Sequence, residues 1–160
     1  MTRLIAAAFA ASALAASAQA ADMRIFAQLP DQPEGLAMDK NGVLYASTHA
    51  GQTIYRVADD GSSELVATIP SEEAKGHGEA LGMEFDANGD QIVAYTEHSR
   101  HSNLFDPFHA GCRDATVTAS GVYRVKVETG EVTPVVTKAD GVPFCYPDDV
   151  DIDKAGNIYL

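Results

Sequence analysis

Gly35-Leu36-Ala37-Met38-Asp39-Lys40-Asn41-Gly42-Val43-Leu44-Tyr45 recurs as Gly82-Met83-Glu84-Phe85-Asp86-Ala87-Asn88-Gly89-Asp90-Gln91-Ile92 and again as Asp149-Val150-Asp151-Ile152-Asp153-Lys154-Ala155-Gly156-Asn157-Ile158-Tyr159. Each copy is a short alternating strand, an Asp-x-x-Gly turn and a second strand. The Asp side chain can accept from backbone amides ahead of it, and Gly takes the positive φ that closes the turn, so each copy predicts a β-hairpin. After the first two copies comes a second hairpin pattern of aromatic and β-branched residues. Its members are Ile54-Tyr55-Arg56-Val57 with Glu64-Leu65-Val66, and Val122-Tyr123-Arg124-Val125 with Glu131-Val132-Thr133. Two hairpins make a four-stranded unit. The predicted strands are 35–39, 43–48, 53–58 and 63–69, then 81–86, 90–96, 121–127 and 131–137, with a third unit opening near 148.

The hairpin aspartates lie 47 and then 67 residues apart. The first spacing suits a blade of a β-propeller, and the excess in the second falls at about residues 97–118, between the second and third strands of the second blade. A parallel α/β sheet would need amphipathic helices between its strands, and the sequence offers none. The fold class expected is therefore all-β, a propeller of four-stranded blades of which the chain carries about two and a half. Closed propellers need at least four blades. Residues 21–160 are thus expected to be the N-terminal part of a propeller domain, truncated within a hairpin at Leu160. The segment Met23 to Leu29 would suit the outermost strand of a last blade that closes the ring.

Residues 1–20 have the build of a cleavable secretory signal: Arg3, an apolar run from Leu4 to Ser17, and Ala18-Gln19-Ala20 as a small-x-small cleavage site. The run is too short to span a bilayer. A periplasmic or secreted protein beginning at Ala21 is expected. Without the signal, 10 Lys and Arg face 23 Asp and Glu, a formal charge of −13. That balance argues against nucleic acid, which needs a basic face, and against anionic membrane surfaces. Acidity alone indicates no metal, because acidic surfaces are commonly solubilising. The only cysteines, Cys112 and Cys145, are expected to form a disulfide in an oxidising compartment, the alternative being two buried thiols.

In a propeller the first strand of each blade lines the central channel, and ligands bind at the mouth where those strands begin. Five residues ahead of each hairpin aspartate stand Glu34, Leu81 and Asp148. Two carboxylates there would converge near the axis and suit a divalent cation such as Ca²⁺, although carboxylates at strand starts also serve as turn formers. The insertion at 97–118 adds His98, His101 and His109, with Phe105 and Phe108, on the same face. It reads as a lid or substrate-contact loop with polar surface histidines. A His-x-x-His pair can also bind a transition metal, with His77 and Glu79 as further donors. A Cys112–Cys145 bridge would pin this lid across adjacent blades. Gly-x-Ser-x-Gly is absent, so Ser-His-Asp catalysis has no support.

Pro33-Glu34-Gly35-Leu36-Ala37-Met38-Asp39 and Tyr146-Pro147-Asp148-Asp149-Val150-Asp151-Ile152-Asp153 resemble the first and third blade starts of the SMP-30/gluconolactonase/LRE-like family, six-bladed propellers related to strictosidine synthase and the paraoxonases. The resemblance implies that Glu34 ligates a catalytic divalent metal, Ca²⁺ with Zn²⁺ or Mn²⁺ as alternatives. It also implies that Asp148 and Asp149 hold substrate and water near that metal. The family has asparagine where this chain has Asp148, a change that adds charge and removes an amide donor, which puts the usual sugar lactone in doubt. The remaining ligands and the catalytic base would lie beyond Leu160. The activity implied is metal-assisted hydrolysis of a small-molecule lactone or ester. The competing expectation is a non-enzymatic NHL-type propeller that binds a ligand or partner protein at the mouth, with Glu34 only a turn residue.

Overall fold

A computed structural model describes residues 23–71, 77–98 and 119–160, all of them strand, turn or irregular backbone. The first blade is β1 (Pro33–Met38), β2 (Leu44–Thr48), β3 (Thr53–Val57) and β4 (Ser63–Thr68), antiparallel in the order β1-β2-β3-β4. The second repeats that order with β5 (His77–Phe85), β6 (Gln91–His98), β7 (Gly121–Lys126) and β8 (Glu131–Val136). A small hairpin follows, β9 (Lys138–Ala139) with β10 (Val142–Pro143), and then the first hairpin of a third unit, β11 (Asp151–Ile152) with β12 (Ile158–Tyr159).

The three Asp-x-x-Gly turns are built alike. Asp39 Oδ1 accepts from the amides of Asn41 and Val43 at 2.8 and 2.9 Å, and Asp86 Oδ1 from Asn88 and Asp90 at 2.8 and 3.0 Å. Asp153 Oδ1 accepts from Ala155 and Asn157 at 2.9 and 2.8 Å. Gly42, Gly89 and Gly156 then take φ of 84°, 87° and 85°, which a β-carbon would strain. The register of both blades also slips at matching places. The β1–β2 pairing shifts between Pro33 and Leu36 and the β5–β6 pairing between Ala80 and Met83, while β3–β4 shifts at Ile54/Tyr55 and β7–β8 at Val122/Tyr123. Such bulges sharpen the local twist that successive blades share.

The blades pack face to face. One core layer joins Tyr45, Ile54 and Ile69 of the first blade to Met83, Val93, Tyr95, Tyr123 and Val125 of the second. Alternate residues of the same strands, Ile92, Ala94 and Val122, turn the other way and pack with Leu81, Val150, Ile152 and Ile158 against the third unit. Period-2 alternation in β6 and β7 thus supplies both layers, so the second blade is apolar on both sides. Tyr45 meets Phe85 and Tyr95 meets Tyr123 edge to face, with centroids 5.2 and 5.3 Å apart. On the first blade, Leu36 and Met38 of β1 are exposed.

Three expectations change. β5 begins at His77, not near 81, so Glu79 lies in the channel-lining strand and not in a connection. His98 is the last residue of β6, backbone-paired with His77, and does not belong to the insertion. The β9–β10 hairpin turns at Asp140-Gly141, both at positive φ (52° and 81°), an Asp-Gly signal absent from the predicted strands. Met23 to Leu29 forms no strand with the described residues, and Met23, Ile25 and Phe26 are exposed.

Candidate substrate and metal site at the channel mouth

The first strands of the three units begin side by side, held by glycine and backbone contacts. The Gly35 amide donates to Ser47 Oγ at 2.8 Å, and that hydroxyl donates to the carbonyl of Leu81 at 2.6 Å. The Gly82 amide in turn donates to the carbonyl of Asp148 at 2.9 Å. A β-carbon on Gly35 would meet the Leu81 carbonyl and Ser47 Oγ, and one on Gly82 would fall 2.7 Å from the Asp149 Cα. Glycine at both positions lets backbones approach that any side chain would hold apart.

This lattice fixes the residues next to it. Glu34, the second residue of β1, and Asp148 and Asp149, just ahead of β11, are all exposed, whereas Leu81 between them is buried. The expected pair of blade-equivalent carboxylates therefore flanks an apolar position. Burial first, then the charge of Glu79 and those of Asp148 and Glu34, push the Tyr146 phenol up to about 12.

Two buried carboxylates stand behind this rim. Glu79 is 3% exposed, with His49 Nε2 at 3.4 Å from one oxygen and the Tyr146 hydroxyl donating to the other at 3.0 Å. Glu97, 5% exposed, accepts from Ser71 Oγ at 2.5 Å and from the Tyr95 hydroxyl at 3.4 Å. Burial, then the Glu97 charge, raises the Tyr95 phenol far above its usual range. The Thr96 hydroxyl donates to the carbonyl of Pro147 at 3.1 Å and ties the end of β6 to the entry of the third unit.

Glu34, Asp148 and Asp149 are hard oxygen donors of the kind a Ca²⁺-type cation takes. Among the described residues no group of three or more His, Cys, Asp and Glu is gathered to hold a metal. His101, His109 and Cys112 lie outside the described residues, as does the His98 side chain. Cys145, in the run leading to Asp148, is not a free thiol. The cavity bordered by Asp39, Asn41, Asp86, Asn88 and Lys126 sits at the hairpin turns, the opposite end of the blades from the mouth.

His49 and Tyr146 were not foreseeable as site residues from their local sequence. Repeat position does point to Tyr146, since Gln32, Glu79 and Tyr146 all stand seven residues ahead of a hairpin aspartate.

A family model described as strictosidine synthase-like, N-terminal, matches residues 21–57. Strictosidine synthase-like 3 of Arabidopsis thaliana is 35% identical over 84 residues, which are 52% of this chain and 16% of that protein. Among solved structures, a gluconolactonase from Xanthomonas campestris superposes over 80% of this chain and 34% of its own with a TM-score of 0.54 at 18% identity, a likeness of fold. The chain thus spans well under half the length of these relatives. It is similar in sequence to strictosidine synthase-like proteins and, in fold, to the gluconolactonase propeller.

Proposed function

We propose that the chain is the N-terminal part of an exported, metal-dependent hydrolase of lactones or related esters. The observation that carries this reading is the hydrogen-bonded run from Gly35 through Ser47 to Leu81, and from Gly82 to Asp148, which draws Glu34 and the Asp148-Asp149 pair to one mouth. Glu34 would hold the divalent cation, and Asp148 and Asp149 would face the substrate. A bound cation of this kind supplies Lewis-acid polarisation of an ester carbonyl. The chain's own residues orient and select. Asp148 adds a negative charge where an amide would donate a hydrogen bond, which favours neutral esters over anionic or acceptor-rich sugar lactones. Tyr146, its phenol held protonated well above neutrality and donating to Glu79, anchors the segment that leads into Asp148 and Asp149.

The lid is assigned to the segment carrying His101 and His109, pinned by a Cys112–Cys145 disulfide, and export to the signal at residues 1–20. The test is hydrolysis of a panel of neutral γ- and δ-lactones by the full-length protein before and after chelation. Turnover should vanish with chelator and return with Ca²⁺. Turnover indifferent to chelator, or none in the metal-loaded protein, overturns the proposal.

A further inference from the structure

Gln32, Glu79 and Tyr146, seven residues ahead of Asp39, Asp86 and Asp153, hold equivalent positions in the three units, two residues ahead of Glu34, Leu81 and Asp148. A chain of contacts through His49 joins these positions across the three units. The Gln32 carbonyl accepts from the His49 amide at 2.9 Å, His49 Nε2 stands 3.4 Å from Glu79 Oε1, and the Tyr146 hydroxyl donates to Glu79 Oε2 at 3.0 Å. Glu79 is almost wholly buried. A carboxylate is unfavourable there unless its oxygens are occupied, and a position that only filled space would take an apolar side chain.

The segment that Glu79 grips leads into the substrate-facing pair. Tyr146 is held by Glu79, the carbonyl of Pro147 by Thr96 Oγ1 at 3.1 Å, and the carbonyl of Asp148 by the Gly82 amide at 2.9 Å. Of these three ties, only the first joins two side chains, so it is the one that a side-chain substitution can remove from either end. We propose that Glu79 is a positioning residue: gripping Tyr146 with one oxygen and His49 with the other, it sets how far Asp148 and Asp149 stand from Glu34, and so the size of ester that fits between them. This rests on the lactonase reading for its substrate and on the described geometry for the grip itself.

Three variants of the full-length protein test it. Glu79→Ala removes the acceptor, Tyr146→Phe removes only the hydroxyl, and Glu79→Gln keeps an oxygen facing Tyr146 while losing the charge. Two readouts are used: KM and kcat for a neutral δ-lactone, and hydrogen exchange of the Gly82 amide, which reports the third unit's placement without any turnover. Glu79→Ala and Tyr146→Phe should raise KM by about tenfold and speed Gly82 exchange by a similar factor, with kcat little changed. Glu79→Gln should stay near wild type in both. Should Glu79→Ala not fold, Tyr146→Phe reads the same bond.

If Glu79→Gln is as damaging as Glu79→Ala, the charge and not the grip matters, and the proposal is overturned. Wild-type KM and exchange in Tyr146→Phe overturn it equally. Absence of lactone turnover in wild type, with the expected exchange pattern intact, sinks the hydrolase reading and supports the grip.

Discussion

The Gly82 amide donates to the carbonyl of Asp148 at 2.9 Å, and the Cα of the neighbouring Asp149 lies where a β-carbon on Gly82 would have only 2.7 Å of room. Replacing Gly82 by Ala should therefore force the third unit away from the second, costing about 1–3 kcal/mol as other overpacked sites do. Gly89→Ala is the control, since nothing lies within 4 Å of its β-carbon and only its φ of 87° is penalised. Urea unfolding of both variants checks this. A Gly82→Ala protein no less stable than Gly89→Ala would contradict the close approach.

The hairpin aspartates make stability depend on acid. Burial alone would raise the Asp86 pKa, but its bonds to Arg124 and to the amides of Asp90 and Asn88 prevail and hold it below the usual carboxylate range. The Val43 amide lowers Asp39, and the Asn157 side chain and amide lower Asp153. A carboxyl depressed in the folded state stabilises above its unfolded pKa, near 4, and that contribution is lost as pH falls through the folded value. The urea midpoint should hold through neutrality and drop below about pH 4. Asp86→Asn, which also weakens the Arg124 pairing, should lower the midpoint at pH 7 and flatten the acid limb. An unchanged acid limb in that variant would contradict the assignment.

How much of this was legible follows from the range of the interactions. The turns of Asp39, Asp86 and Asp153 close within four residues, so their chemistry can be read locally, and with it the blade repeat. The early start of β5 cannot: His77-Gly78-Glu79-Ala80 shows no strand pattern and is extended through pairing with Tyr95 to His98. Glu79 was named from the sequence only as a possible metal donor at the mouth, and its bond to Tyr146, 67 residues later, spans a distance that no local pattern reports. Glu34 and Asp148 were visible as repeat-equivalent positions, but the Ser47 bridge that helps draw their strands together was not. Asp140-Gly141 is a plain turn signal, yet it falls outside the two-hairpin rhythm of the blades.

The disulfide assignment predicts that Cys112 and Cys145 resist alkylation in the native protein and become labelled only after a reductant is added. Rapid labelling of both in unreduced protein would contradict it. Since Cys145 closely precedes Tyr146 and Asp148, reduction should also loosen the third unit's entry, seen as faster exchange at the Gly82 amide.

The export assignment predicts a mature N-terminus at Ala21. Mass spectrometry of protein recovered from the periplasm or medium should find the chain starting there, and an intact Met1 on a cytoplasmic product would contradict it.

The role of Glu34 is tested most directly by calorimetric titration of Ca²⁺, Mn²⁺ and Zn²⁺ into full-length wild type and Glu34→Gln, with circular dichroism as the check on folding. Glutamine keeps the shape of the side chain and replaces an anionic oxygen by a neutral one, which a hard cation binds less well. Glu34 is exposed at the second position of β1 and takes no part in the described core, so the fold should survive. Affinity for the active cation should fall by about tenfold or more, as expected when a charged ligand is lost, and lactone hydrolysis should fall with it. Equal affinities in two well-folded proteins would remove Glu34 from the metal site and leave the mouth as a binding surface without metal-dependent hydrolysis.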